Sequence, residues 1–88
     1  MYMKSIAIIG LGKQTQEELI PAILLLKNVR IDVVCDPNSS VFEQIKNILP
    51  NVRLYTNNDD FFTHEHHIDG AFICVPHYKY APLITKFL

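Results

Sequence analysis

The sequence predicts an α/β fold: a parallel sheet of about four strands with helices on both faces, incomplete at its C-terminal end. Three observations predict it. Four apolar runs rich in β-branched residues, Ser5 to Ile9, Ile31 to Cys35, Val52 to Tyr55 and Gly70 to Val75, alternate with stretches of helical period. The first, second and fourth are nearly continuous in apolar residues, as in strands covered on both faces. Consecutive parallel strands need connections long enough to cross back over the sheet, and the intervening stretches supply them with right-handed crossovers.

In chain order, Ser5 to Ile9 forms the first strand and ends at Gly10. Gln16 to Lys27 follows as a crossover helix, with Leu19, Ile20, Ile23, Leu24 and Leu26 spaced to press onto the sheet. Thr15 and Glu18 make a capping-box pattern at its start, and Pro21 deletes a backbone donor and bends the axis unless the helix begins there. After the second strand, Val41 to Leu49 is a helix with Val41, Ile45, Ile48 and Leu49 on one side, capped by Ser39 or Ser40 and closed by Pro50. Val52 to Tyr55 is the weakest strand and belongs toward an edge. Asn57 to Asp60 has turn composition, Phe61 and Phe62 suit a single helical turn, and Thr63 to His67 is polar. Beyond the fourth strand, Ala81, Ile84, Phe87 and Leu88 recur at helical spacing.

At 88 residues the chain is one unit at most, and residues 1–88 contain no linker, repeat or low-complexity tract at which to divide it. With 49% hydrophobic and 19% charged residues it is too apolar to remain disordered. Its formal charge of −1, with the basic residues scattered singly, offers no stripe to neutralise phosphates, so nucleic acid is not an expected partner. The two cysteines, Cys35 and Cys74, fit neither a zinc spacing nor a disulfide framework, which points to a reducing, cytoplasmic compartment. Lys4 and the run Ile6 to Ile9 resemble a signal peptide only until Gly10 and Gly12 cut the run short, and no later stretch approaches the ~20 residues of a membrane span. A membrane is not expected as a partner.

Gly10-Leu11-Gly12 directly follows the first strand and precedes the first helix. There the backbone must turn sharply and approach a pyrophosphate with no side chain between, and the helix start adds free amides and partial positive charge. Asp36 stands at the tip of the second strand, about 20 residues on, where a carboxylate accepts from the adenosine ribose hydroxyls. The two signals belong together and point to a Rossmann-type dinucleotide-binding domain with strand order 3-2-1-4. That order puts the first strand between Cys35 and Cys74, too far apart for a disulfide. The fingerprint's third small residue falls at Thr15, leaving GxGxxT in place of GxGxxG.

The succession Ile6-Ala-Ile-Ile-Gly-Leu-Gly12, Ile20-Pro-Ala-Ile23, Val33-Val-Cys-Asp-Pro-Asn38, Leu54-Tyr-Thr-Asn57 and Ile68-Asp-Gly-Ala-Phe-Ile-Cys-Val-Pro76 resembles the N-terminal domain of the Gfo/Idh/MocA oxidoreductases over almost the whole chain. The resemblance implies hydride transfer between NAD or NADP and a sugar, a cyclitol or a related carbonyl compound. It implies that Gly10 and Gly12 meet the pyrophosphate, that Lys13 and Gln14 line the same turn, and that Asp36, with Pro37 beside it, holds the adenosine ribose. Cys74, Val75, Pro76 and His77 would run along the cofactor toward the nicotinamide, and Tyr80 stands where the family usually has a histidine. The family's Glu-Lys-Pro strand and its substrate domain would lie beyond Leu88. A small-molecule substrate is therefore expected only of a longer chain.

Other polar groups compete for a role. His64, Glu65, His66 and His67 form the richest polar cluster, but without a third fixed ligand they read as a solvated loop rather than a zinc site. Tyr78 and Tyr80 could stack on a nicotinamide, but aromatics beginning a helix are more often packing residues. His77, after a strand end, is a candidate cofactor contact with no partner to make it an acid or base. Besides the cofactor half of an oxidoreductase, two alternatives stand: a non-catalytic nucleotide-binding or sensing module, and a scaffold with no ligand if Thr15 closes the turn. NAD is expected over NADP, because Asp36 would repel a 2′-phosphate and neither Pro37 nor Asn38 offsets it. The unfinished sheet edge and helix suggest self-association into a homo-oligomer.

Overall fold

A computed structural model describes residues 3–74 and 80–87, with side chains left out at 80–83. In chain order, strand β1 (Lys4–Ile9) leads into a π-helical turn (Thr15–Leu19) and helix α1 (Ile20–Leu24). Strand β2 (Val29–Cys35) follows, then a 3-10 turn (Ser39–Val41) and helix α2 (Phe42–Ile48). Strand β3 (Arg53–Tyr55), helix α3 (Asn58–His64), strand β4 (Gly70–Ile73) and helix α4 (Tyr80–Phe87) complete the order. All pairings are parallel and the sheet order is β3-β2-β1-β4, the Rossmann arrangement expected from the sequence. β3 lies at one edge, as its weak signal predicted.

The continuous apolar strands bury residues on both faces. Ile6 and Ile8 of β1 pack with Ile20, Ile23 and Ile45 of the first two helices, while Ala7 and Ile9 pack with Phe61 of α3 on the other side. β2 would present Ile31 and Val33 to the same face if it were regular. Its register with β1 instead skips Asp32, which sends Ile31 to the first core and Val33 to the second. Asp32 sits at that irregularity, accepting from the Ser5 hydroxyl and from Arg30 Nε at 2.6 Å. Burial opposes its ionisation, but those two hydrogen bonds outweigh it and hold the carboxyl below its usual range.

Several local expectations are corrected. The Thr15–Glu18 capping box does not form, because Gln14 is already helical and Thr15 lies inside the helix with its side chain buried. Glu18 instead accepts from Gln14 Nε2 at 3.2 Å. Pro21 does not break the helical stretch: it stands in the first turn of α1, where its missing donor is tolerated, and a π turn directly before α1, with Ile20 N–H on the Thr15 carbonyl, leads into it. The helix then ends at Leu24 rather than Lys27, which leaves Leu25 and Leu26 exposed in the following turn and Leu24 half exposed. Asn38, not Ser39 or Ser40, caps the next helical stretch, its side chain accepting from the Ser40 amide. Ile48 is exposed, so the apolar side of α2 rests on Ile45 and Leu49. Asn57 to Asp60 is a helix start rather than a free turn: Asn57 accepts from the Asp60 amide at 2.8 Å and α3 runs on through His64.

Nor is Glu65 solvated. Its carboxylate takes Arg53 Nε and Nη2, both at 2.8 Å, and the Tyr55 hydroxyl at 2.6 Å, with only 7% of the Glu65 side chain exposed. Arg53 and Tyr55 are two apart on β3 and so share a face, which ties the three-residue edge strand to the end of α3. The Arg53 hydrogen bonds, and then that of Tyr55, outweigh burial and hold the Glu65 carboxyl below its usual range. Its stabilising contribution is therefore complete above the unfolded carboxylate value of about 4.3 and fades as pH falls through the lower folded value. Glu65→Gln should cost about 1–2 kcal/mol at pH 7, tempered by the half-exposed Arg53. Urea melts should find that gap shrinking as pH falls below about 4; a gap that stays unchanged down to acid pH would count against this origin.

Candidate functional site

The C-terminal ends of β1, β2 and β4 meet at one rim, and β1 lies between strands whose crossovers leave in opposite directions. Open α/β sheets bind ligands at such a switch point. Gly10 closes β1 with φ of 99°, a backbone conformation that favours glycine, and its N–H donates to the Cys35 carbonyl at 2.8 Å. Leu11 drops its side chain into the first core and so anchors the turn. At Gly12 the requirement is different: a Cβ built there would meet no atom of the described residues within 4 Å. Neither dihedral strain nor internal packing calls for that glycine, and its bare backbone opens onto free space at a helix start, which suits a diphosphate approaching the main chain.

Asp36 is joined to this turn. Its Oδ2 accepts the Leu11 N–H at 2.6 Å and its Oδ1 the Asn38 N–H at 2.8 Å. A carboxylate has about four acceptor positions, so two backbone donors leave capacity for a ribose diol. Both readings of Asp36, turn former and ligand acceptor, are thus compatible in one side chain. Its own amide donates to the Tyr55 carbonyl at 3.0 Å, extending the β2–β3 pairing and fixing where the carboxylate stands.

Two clefts flank the glycine turn. One, of ≈ 470 Å³, has Asp36, Asn38 and Val41 on its far wall; the other, of ≈ 690 Å³, runs to Ile73 and Cys74 at the end of β4. Gly12 and Lys13 line both, so the clefts form one track from the tip of β2 to the tip of β4. Gln14 lines the β4 side, and Pro37 is exposed in the bend after Asp36. Among the described lining residues of the Asp36 cleft, Lys13 is the one cation, alongside the carboxylates Glu17 and Asp36. Val75, Pro76 and His77, and the side chain of Tyr80, lie outside the described residues, as does Tyr78.

The model of the oxidoreductase family with an NAD-binding Rossmann fold, Gfo/Idh/MocA, matches residues 4–88. The chain belongs to that family. Among solved structures, this Gfo/Idh/MocA domain is similar to myo-inositol 2-dehydrogenase from Lactobacillus plantarum, with 27% identity over 96% of this chain and 24% of that one, at a TM-score of 0.82. It shares its fold with a dehydrogenase from Chromobacterium violaceum, at 18% identity, 94% and 24% coverage and a TM-score of 0.84. It likewise shares it with scyllo-inositol dehydrogenase from Lactobacillus casei with bound NAD(H) and scyllo-inositol, at 19% identity, 96% and 24% coverage and a TM-score of 0.82. The chain spans about a quarter of the length of these structures. No curated protein matches it.

Sequence reasoning overlooked Gln16, Glu17 and Gln44, all of which line the Asp36 cleft of this Gfo/Idh/MocA domain. Gln16 alone carried a legible signal: it lies four residues after Gly12, where a polar side chain on a first helical turn can reach back to the preceding loop. Cys35, next to Asp36, is no reactive group. Burial, then the charges of Asp36 and Asp60, push its thiol up to about 11, and it donates to Asn58 Oδ1 at 3.3 Å. Cys74 is partly exposed on the other side of β1, and both cysteines are free. Among the described residues no helix is long and apolar enough to cross a membrane.

Proposed function

We propose that this chain binds the adenosine diphosphate half of a nicotinamide dinucleotide across the tips of β1 and β2, and that it takes NAD in preference to NADP. On this reading residues 1–88 are the N-terminal part of a dinucleotide-binding domain. The complete protein would transfer a hydride between that cofactor and a sugar, cyclitol or related carbonyl compound. The observation that carries the reading is the bare backbone at Gly12, shared by two clefts, with the Asp36 carboxylate bonded to the same turn. The inositol dehydrogenases among the similar structures support the substrate class.

Within this chain the division of labour follows from chemistry. Gly12 and the helix start offer amides to the diphosphate, Lys13 adds a positive charge, and Asp36 accepts from the ribose hydroxyls. A 2′-phosphate at that ribose would meet Asp36 and Glu17 with Lys13 alone to offset them. Cys74, with Val75, Pro76, His77 and Tyr80 beyond it, would border the path toward the nicotinamide. When bound, the nicotinamide supplies the hydride acceptor or donor, and reaction requires a substrate carbon held against it. That positioning is assigned to residues outside this chain.

Calorimetric titration of the chain with NAD and with ADP-ribose tests the reading, followed by assay of NADH formation over a panel of sugars and cyclitols. Comparable binding of both ligands, with Kd on the order of 1 mM, and no turnover is the expected result. Turnover by the chain alone would overturn the division of labour. Absence of binding would favour a scaffold without a ligand.

A further inference from the structure

The glycine turn is held from two sides, and one of the two holding groups lies outside the glycine fingerprint. Asp36 fixes the Gly10–Leu11 peptide through the Leu11 N–H at 2.6 Å. The next peptide, Leu11–Gly12, is fixed by Gln16: its Nε2 donates to the Leu11 carbonyl at 2.8 Å. A carbonyl can only accept, so the nitrogen end of the side-chain amide must face it. The main chain of the same residue also donates to the Gly12 carbonyl at 3.1 Å. Gln16 thus grips the carbonyls on both sides of Gly12, and its side chain lines the cleft that holds Asp36.

In a trans peptide the C=O and N–H point to opposite sides of the chain. Holding the Leu11 carbonyl on the Gln16 amide therefore sets the direction of the Gly12 N–H. Among the described residues Gly12 has no packing contact to hold it otherwise, since a Cβ there would meet none of them within 4 Å. A glycine so placed is free to rotate its peptide, and an amide that must be aimed at an anion loses affinity when it does.

We propose that Gln16 is a positioning residue for cofactor binding: its side-chain amide locks the Leu11–Gly12 peptide and so aims the Gly12 N–H at the diphosphate. The proposal rests on the dinucleotide reading above. It separates the diphosphate from the adenosine, because Asp36 and the wall around Asn38 and Val41 do not depend on the Gln16 amide.

The test uses the full chain, wild type and the variants Gln16→Met and Gln16→Glu. Methionine keeps the length without a donor, and glutamate keeps the shape but sets an acceptor against a carbonyl. Without ligand, the Gly12 amide order parameter from 15N relaxation should fall in both variants from about 0.85 toward 0.6 or lower. Affinity for ADP-ribose should drop about fivefold, the scale of one hydrogen bond, while affinity for adenosine, which carries no phosphate, stays within about twofold. Wild-type binding of ADP-ribose that both variants match would overturn the proposal and leave the cofactor reading intact. Parallel losses for both ligands would overturn it too, as they would mean general loosening of the fold. A wild-type chain that binds neither ligand would fail the cofactor reading itself, and the proposal with it.

Discussion

Gly12→Ala should weaken binding of ADP-ribose about 100-fold while leaving the melting temperature within about 2 °C of wild type. A Cβ at that position meets nothing among the described residues, so the described fold has no reason to object. The same methyl projects from the main chain into the space where a diphosphate must approach within hydrogen-bonding distance of backbone amides. Displacing it would weaken one or two charge-assisted hydrogen bonds, roughly 3 kcal/mol together, and each 1.4 kcal/mol is a factor of about ten. Gly10→Ala should behave in the opposite way. With φ of 99° and a buried backbone, Gly10 is required by the chain itself, and an alanine there carries about 1–2 kcal/mol of strain. For a domain of this size that corresponds to a melting temperature lower by roughly 5–15 °C. Thermal melts by circular dichroism and ADP-ribose titrations on both variants make a crossed comparison. If Gly12→Ala loses stability and retains binding, Gly12 serves an ordinary turn and the site lies elsewhere.

What the sequence revealed and what it hid divide along a physical line. The strands were legible because Ile6 to Ile9 are apolar on successive residues and Ile31 to Cys35 are interrupted only by Asp32, as in strands of a sheet covered on both faces. Gly10, Gly12 and Asp36 were legible because the turn and the strand tip constrain residue type at fixed offsets. The Glu65 network was not, since its partners Arg53 and Tyr55 lie on another element and nothing local distinguishes a glutamate that finds an arginine from a solvated one. Thr15 and Glu18 match a capping box by spacing, but the pattern assumes that Thr15 caps a helix beginning at Gln16. The backbone is helical from Lys13, so the threonine is carried inward and buried. The same earlier start brings Gln16 within reach of the Leu11 carbonyl. A shift of three residues in a helix boundary thus exchanged one polar role for another, and the exchanged residue is the one that lines the site.

Asp36→Ala should lower both stability and selectivity, and the two effects should separate in Asp36→Asn. The carboxylate accepts two backbone amides, from Leu11 and Asn38, and the alanine variant leaves the Leu11 N–H, beside a buried side chain, without its partner. An orphaned donor of this kind costs about 1–3 kcal/mol. Asparagine has one carbonyl oxygen, which can keep either amide but not both, and it carries no charge. It should therefore recover part of the stability and little of the discrimination against a 2′-phosphate, because that discrimination comes from the charge. We expect wild-type chain to bind NAD more tightly than NADP and Asp36→Asn to narrow the difference by about 1–3 kcal/mol. Glu17 lines the same cleft and keeps its own charge, so the preference should shrink rather than reverse. Titrations of NAD and NADP, alongside urea melts of the three proteins, decide the matter. Equal affinities for NAD and NADP in the wild type would remove Asp36 from the ribose site and leave it with the turn alone.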